Sequence, residues 1–357
     1  MKLHSNMDVF FNKVSEVYNA NMPFVVFRKP NDSKITALCQ DTSTLFTLKT
    51  FEESGFIFSP FDKNELKIIF PFNVCKQTYA IIKNDFQVSE IGSEFKVIED
   101  LAAKEKHIEI VQKAVDFINN KGAKKIVLSR NENVECTTIA IFDILKKMLN
   151  NYKNAFVYLW YHPKVGLWMG ATPERLISID KELNLNTMAL AGTQKFNGNL
   201  EVKWNEKELY EQQYVTDYIL ENINDKITEI NTKGPYTVKA GSLLHLRTDI
   251  SAKLKAANLL GNLVNALHPT PAICGIPKNI ATDFILKNES YNRAYYSGYL
   301  GELNINNSTN LFVNLRCMQI KATTATLYIG GGITNKSNAK KEWEETVAKA
   351  EIMKRVL

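Results

Sequence analysis

The stretch "KKEWEETVAKAE", residues 340–351, sets Glu342, Glu345 and Lys349 three and four positions apart. At about 100° per helical residue they share one face, which continues through Ile352, Met353 and Val356. The spacing predicts a C-terminal helix whose core-facing stripe opens with two carboxylates. An unpaired carboxylate turned toward a core costs several kcal/mol or takes up a proton, so this stripe asks for a partner. The plain alternative is a solvated ExxE pair on a helix surface.

A second stretch repeats the design. In "NEKELYEQQYVTDYI", residues 205–219, Glu208 and Glu211 are again three apart, and their face runs on through Val215, Tyr218, Ile219 and Ile223. Two such helices weaken the plain alternative, and a cation between them would offset the charge. Carboxylates and water suit a hard ion such as Mg²⁺, whereas a di-iron bundle needs ExxH, and here Gln212 and Gln213 follow Glu211. The whole chain has five histidines (His4, His107, His162, His245, His268), which disfavours a zinc centre. Mg²⁺ is the expected cofactor.

Around these helices, 357 residues with 45% apolar content can bury a large core, as one big α/β domain or two smaller ones. The N-terminal "MKLHSNMDVFF" lacks a signal peptide's apolar region, and no run approaches the roughly 18 apolar residues of a membrane span, so a cytoplasmic protein off the membrane is expected. Cys39, Cys75, Cys136, Cys274 and Cys317 form no CxxC pair, which suggests buried thiols rather than disulfides or zinc. A dispersed net charge of +6, without a basic block, argues against nucleic acid and is compatible with small anionic substrates.

Along the chain a helix is predicted near 8–19, followed by short β-like runs "PFVVF", "GFIFS" and "KIIFPF". Further helices are predicted near 104–120, 138–150, 205–227, 253–267 and 277–288. Between them lie the strands "KIVLSR" and "SLLHLRT", a strand-rich run to about 192 and three strands before the last helix. Long strand-only runs between helices favour largely antiparallel sheets with helices outside.

Three other stretches look suited to an anion. "YIGGGIT" places Gly330, Gly331 and Gly332 after a β-like run, where bare backbone N–H groups can approach a ligand, unless the glycines merely serve a turn or bulge. Arg316, in the apolar strand "LFVNLRCMQI", needs a carboxylate or phosphate partner or an internal salt bridge. "LHPTPAICGIPK" reads as a rigid loop or a simple helix connection.

"KIVLSR", "GATPERL", "ALAGT", the first ExxE, "LHPTPAICGIPK", "NRAYYSGYLGEL", "NLRC", "GGGI" and "KEWEETVAKAE" together resemble the chorismate-utilising enzymes over roughly residues 100–357, with residues 1–100 less similar. The resemblance implies one large α/β (α+β) domain with two packed, mainly antiparallel sheets flanked by helices, a deep active-site cleft, Mg²⁺ and a chorismate substrate. Lys125 resembles the water-activating base of the family's isochorismate- and salicylate-forming branch. The glutamine of anthranilate synthases is absent there, and Ala191 replaces the lysine nucleophile of aminodeoxychorismate synthases. Water is therefore the expected nucleophile, with no glutaminase subunit and a monomer or weak homodimer. Ala272, where salicylate synthases tend to carry threonine, favours isochorismate formation, with salicylate formation as the alternative.

Residue by residue, the resemblance makes Lys125 the base and Glu174 the general acid. The first needs its pKa drawn well below the free value near 10.4, and the second needs protonation near neutrality. Glu211 and Glu345 resemble direct metal ligands, while Glu208 and Glu342 would act through water, with Lys349 near the same ring carboxylate. Arg316 and Tyr296 look like the clamp for the enolpyruvyl carboxylate, aided by N–H groups of Gly330 to Gly332. Gly192, Thr193, His245 and Ala272 would line the ring site. Departures are Gln212 where histidine is frequent, "GGGI" for GAGI and "CGIP" for a double glycine. A non-catalytic anion-binding protein on the same scaffold would have lost Lys125, Glu174 or an acidic pair, and all are present.

Overall fold

The computed structural model describes residues 7–87, 95–98, 101–240 and 243–357. In chain order these form α1 (Met7–Asn19), β1 (Phe24–Arg28), β2 (Lys34–Gln40), β3 (Gly55–Ser59), β4 (Ile68–Pro71), β5 (Cys75–Ile81), β6 (Phe95–Val97), α2 (Leu101–Asn119) and β7 (Lys125–Cys136). There follow α3 (Ile141–Asn151), β8 (Phe156–His162), β9 (Gly166–Thr172), β10 (Arg175–Ile179), β11 (Asn184–Lys195), α4 (Glu206–Ile223), β12 (Ile227–Ala240) and β13 (Leu243–Leu254). The chain closes with α5 (Leu260–Leu267), β14 (Gly275–Ile276), α6 (Lys278–Asn288), β15 (Tyr299–Ile305), β16 (Ser308–Val313), β17 (Cys317–Lys321), β18 (Thr324–Ile333) and α7 (Ala339–Lys354).

The strands form two sheets, antiparallel at every described pairing. One runs β14-β7-β18-β17-β9-β8-β1-β2-β5, with β6 beside β7; the other runs β12-β13-β11-β10-β16-β15-β3-β4. Their facing surfaces are filled by aromatic rings: Phe156 stacks on Phe312 at 4.3 Å, Phe70 on Trp160 at 5.1 Å and Phe58 on Tyr295 at 4.1 Å. Rings suit this layer because each buries a large area and stacks in offset or edge geometry. The outer faces carry the helices. Phe10 and Val14 of α1, Leu145 and Met148 of α3, and Met353 of α7 pack on the first sheet, whereas Val215 and Ile219 of α4 and Leu263 of α5 pack on the second. No helix among the described residues is long and apolar enough to cross a membrane.

The N-terminal strands take part in both layers. β1, β2 and β5 extend the first sheet, and β3 and β4 extend the second. Three sequence expectations need correction. The helix foreseen at 253–267 begins at Leu260 after a 3-10 turn, because Ile250, Ala252 and Leu254 alternate into the core and β13 is paired on both sides. Ser242, the first residue of the strand expected there, lies outside the described residues. The last β-run holds four strands, and Arg316 stands in the break between β16 and β17, with φ +48°, rather than within a strand.

Candidate active site

The two acidic stripes meet at one cavity of about 330 Å³, lined among others by Glu208 and Glu211 from α4 and by Glu342, Glu345 and Lys349 from α7. Lys125 and Glu174, the expected base and acid, line the same space, as do Tyr296, Arg316, His245, Ala272, Gly192 and Gly330 to Gly332. Thr193 pairs with His245 across the sheet, but its side chain lies outside the described residues.

Topology explains why these residues meet. Glu174 stands where the chain passes from β9 in the first sheet to β10 in the second, and Arg316 where it returns from β16 to β17. Thr172 ties the two crossings, its Oγ1 donating to Val313 O at 2.6 Å. On the opposite wall, Lys125 opens β7 beside β18, whose glycines pair with that strand at Ser129↔Gly330, Leu128↔Gly331 and Val127↔Gly332. The pairing of β17 with β18 reaches only Met318↔Leu327, so the other edge of the glycine run faces the cavity.

Each glycine leaves room for a neighbour. A Cβ on Gly330 would stand 2.7 Å from the Tyr296 hydroxyl, and one on Gly332 would stand 2.9 Å from Lys125 Cε. A Cβ on Gly331 would lie 3.6 Å from Glu342 Oε2, an ordinary contact that accommodates the family's usual alanine. Gly192, at φ +68°, forms a register shift in β11, and its carbonyl faces His245 Nδ1 at 3.0 Å. Since a carbonyl only accepts, Nδ1 carries the proton.

The electrostatics separate the groups by role. Burial raises the Glu174 carboxyl to about 7 against the opposing charges of Lys125 and Arg316, so it holds a proton to near neutrality. Burial lowers His245 to about 4, helped by Arg316 and Lys349, and leaves the ring neutral at pH 7. Arg316 is also lowered by burial, with Tyr152 and Glu174 opposing that shift. The buried Tyr296 hydroxyl is pushed well above its ordinary range and stays a donor.

The four carboxylates share the cavity without forming a finished metal cage. Lys125 Nζ pairs with Glu211 Oε1 at 2.5 Å and Lys349 Nζ with Glu345 Oε1 at 2.7 Å. Among the described residues, no three His, Cys, Asp or Glu side chains converge closely enough to hold a metal ion as they stand. Their chemistry nevertheless fits a hard cation: all four are oxygen donors on one cavity, and the buried Glu208 Oε2 has no hydrogen-bond partner. Gln212 faces away, buried and donating to Ala189 O and Thr248 Oγ1, both at 3.0 Å. It anchors α4 to the second sheet and does not line the cavity.

Sequence reasoning missed the support behind the glycine wall. Buried Arg293 donates to both oxygens of Glu289 at 2.7 and 2.6 Å, to Val127 O at 2.7 Å and to Ile273 O at 3.1 Å. Glu289 also accepts from the Ser129 N–H and hydroxyl, at 2.7 and 2.9 Å. The one available signal was an arginine in the otherwise uncharged run "SYNRAYYSGYL".

Comparison with known proteins agrees with this geometry. The family described as chorismate binding enzyme matches residues 71–357. Isochorismate synthase MenF of Bacillus subtilis (strain 168) is 30% identical over 260 residues, covering 70% of this chain and 55% of that protein. Isochorismate synthase EntC of Escherichia coli (strain K12) is 27% identical over 260 residues, covering 69% and 65%. The chain thus spans less than two thirds of the length of either relative. A crystal structure of the putative 2,3-dihydroxybenzoate-specific isochorismate synthase DhbC from Bacillus anthracis superposes with a TM-score of 0.80 at 22% identity, covering 97% of this chain and 98% of that one. With a family match over most of its length and a cavity built from that family's motifs, the chain belongs to the chorismate binding enzymes.

Proposed function

We propose that the protein converts chorismate to isochorismate, with Mg²⁺ as its cofactor. The observation that carries the reading is the pairing of Lys125 and Glu174 in one cavity, with Glu174 protonated to about pH 7. Water adds at ring C2, the double bonds shift and the C4 hydroxyl departs. In this reading Lys125 accepts a proton from the attacking water, while Glu174 gives its proton to the departing hydroxyl. The exchange leaves Lys125 charged and Glu174 ionised, and solvent resets both. Ala191 and Ala272 line the cavity where an amine nucleophile or a pyruvate-eliminating site would need other side chains.

Arg316 and Tyr296 hold the enolpyruvyl carboxylate, with N–H groups from the open edge of Gly330 to Gly332, and Lys349 lies near the ring carboxylate. Gly192, Thr193 and neutral His245 line the ring. Glu211 and Glu345 would hold the metal directly and Glu208 and Glu342 through water. When bound, Mg²⁺ supplies positive charge that neutralises and orients the ring carboxylate. The same reading has the enzyme working in the cytoplasm with water rather than a glutaminase subunit, as a monomer or weak homodimer. Relatives that bear the isochorismate synthase name support it.

Chromatography of products from chorismate and Mg²⁺ tests the proposal. Isochorismate should form reversibly with little pyruvate. Salicylate with stoichiometric pyruvate as the early product, or an aromatic amine that depends on ammonia, would overturn it.

A further inference from the structure

A second cavity, of about 400 Å³, lies behind the first between α4, the start of β7 and the loop after β18. Its walls include Lys124, Tyr210, Tyr214, Ile276, Asn335 and Lys336, and it shares just two lining residues with the chorismate cavity, Lys125 and Glu211. Those two side chains form the 2.5 Å ion pair, so the partition between the cavities is the expected base and its partner. Lys125 is reached from both sides although its side chain is only 11% exposed. The rear mouth is braced: Lys124 Nζ sits 4.7 Å from the centre of the Tyr214 ring.

We infer that the rear cavity is the route by which water, or another small neutral nucleophile, reaches Lys125 while chorismate fills the front. This rests on the reading of the site as a water-adding isomerase. Each turnover consumes one water at C2 and releases one at C4, so the pool beside Lys125 must be refilled. A ring gripped at one end by Arg316 and Tyr296 and at the other near Lys349 obstructs the front. Gly332 fits the arrangement, since a Cβ there would stand 2.9 Å from Lys125 Cε and crowd the lysine.

The test fills the rear cavity from its exposed rim with Asn335→Trp and, separately, Lys336→Trp, and measures kcat and KM for chorismate with Mg²⁺ beside the thermal midpoint. Both positions are exposed, so the fold should survive. The expected result is a kcat lower by roughly fivefold or more with KM and melting unchanged, since solvent supply is impaired and substrate binding is not. Carbamylation of Lys125 by cyanate under saturating chorismate, mapped by peptide mass, gives a second readout. It should proceed in the wild type and slow in both variants. Wild-type kcat in both folded variants, or full protection of Lys125 by chorismate in the wild type, would overturn the route and leave isochorismate formation standing. Absence of isochorismate from wild-type reactions would instead refute the isomerase reading, while the labelling still reports which side of Lys125 is open.

Discussion

Glu174 and Arg316 stand on adjacent crossings between the two sheets and are fixed through the backbone: the Val313 N–H donates to Glu174 O at 2.9 Å and the Ala171 N–H to Arg316 O at 3.0 Å. A carboxyl that burial raises to about 7 is thereby held beside a guanidinium. Their tasks should separate in kinetics. Arg316→Ala removes a contact made alike with bound substrate and transition state, so KM for chorismate should rise roughly 10- to 100-fold while kcat changes little, as steady-state assays would show.

The raised carboxyl of Glu174 sets the alkaline limb. As pH rises through about 7 the acid is lost, so kcat/KM should fall there, and Glu174→Gln should remove the limb and lower kcat by roughly 10²-fold.

The same group makes a stability prediction. Its folded-state value lies above the ordinary 4.5, so the stability it contributes is fully present below pH 4.5 and is lost as pH rises through about 7. That loss is on the order of 3 kcal/mol. Melting curves should therefore place Glu174→Gln above the wild type at pH 8, with the advantage gone at pH 4.

Metal dependence should follow the acidic helices. Activity should disappear in EDTA and return with Mg²⁺. Calorimetric titration should show Mg²⁺ binding weakened strongly by Glu211→Gln or Glu345→Gln and more mildly by Glu208→Gln or Glu342→Gln. Equal insensitivity of all four variants would refute the assignment.

Arg293 should matter through the wall it supports. Arg293→Met leaves the buried Glu289 without its cation, so denaturant unfolding should show a loss of roughly 3–5 kcal/mol.

Much of the site was legible because helical spacing carried it: Glu208 and Glu211, and Glu342 and Glu345, are turned to one cavity by their own periodicity. The glycine run was readable as bare backbone, yet which side chain each glycine admits depends on β7 and β18 pairing in one register across two hundred residues of chain. Arg316 was misplaced in a strand because apolar neighbours on both sides hide a break made by the passage between sheets. Gln212, one residue beyond a carboxylate of the site and so about 100° round α4 from it, turns into the second sheet instead. The lysine partners of Glu211 and Glu345 lay beyond any local signal for Lys125, whereas Lys349 was placed on the right face.

The repeated passage of the chain between its two sheets also governs how it is made. Strands that end as neighbours come from distant parts of the sequence, as at Phe58↔Leu300 and Ser129↔Gly330, so folding must close large loops before it gains their contacts. Two of the four acidic side chains and Lys349 ride on α7, which follows every one of these strands in the sequence. Until α7 emerges, the nascent chain has neither a complete pocket nor a cover for the apolar surface that Met353 and Val356 will fill. Chaperone demand should therefore persist until α7 has been made and docked.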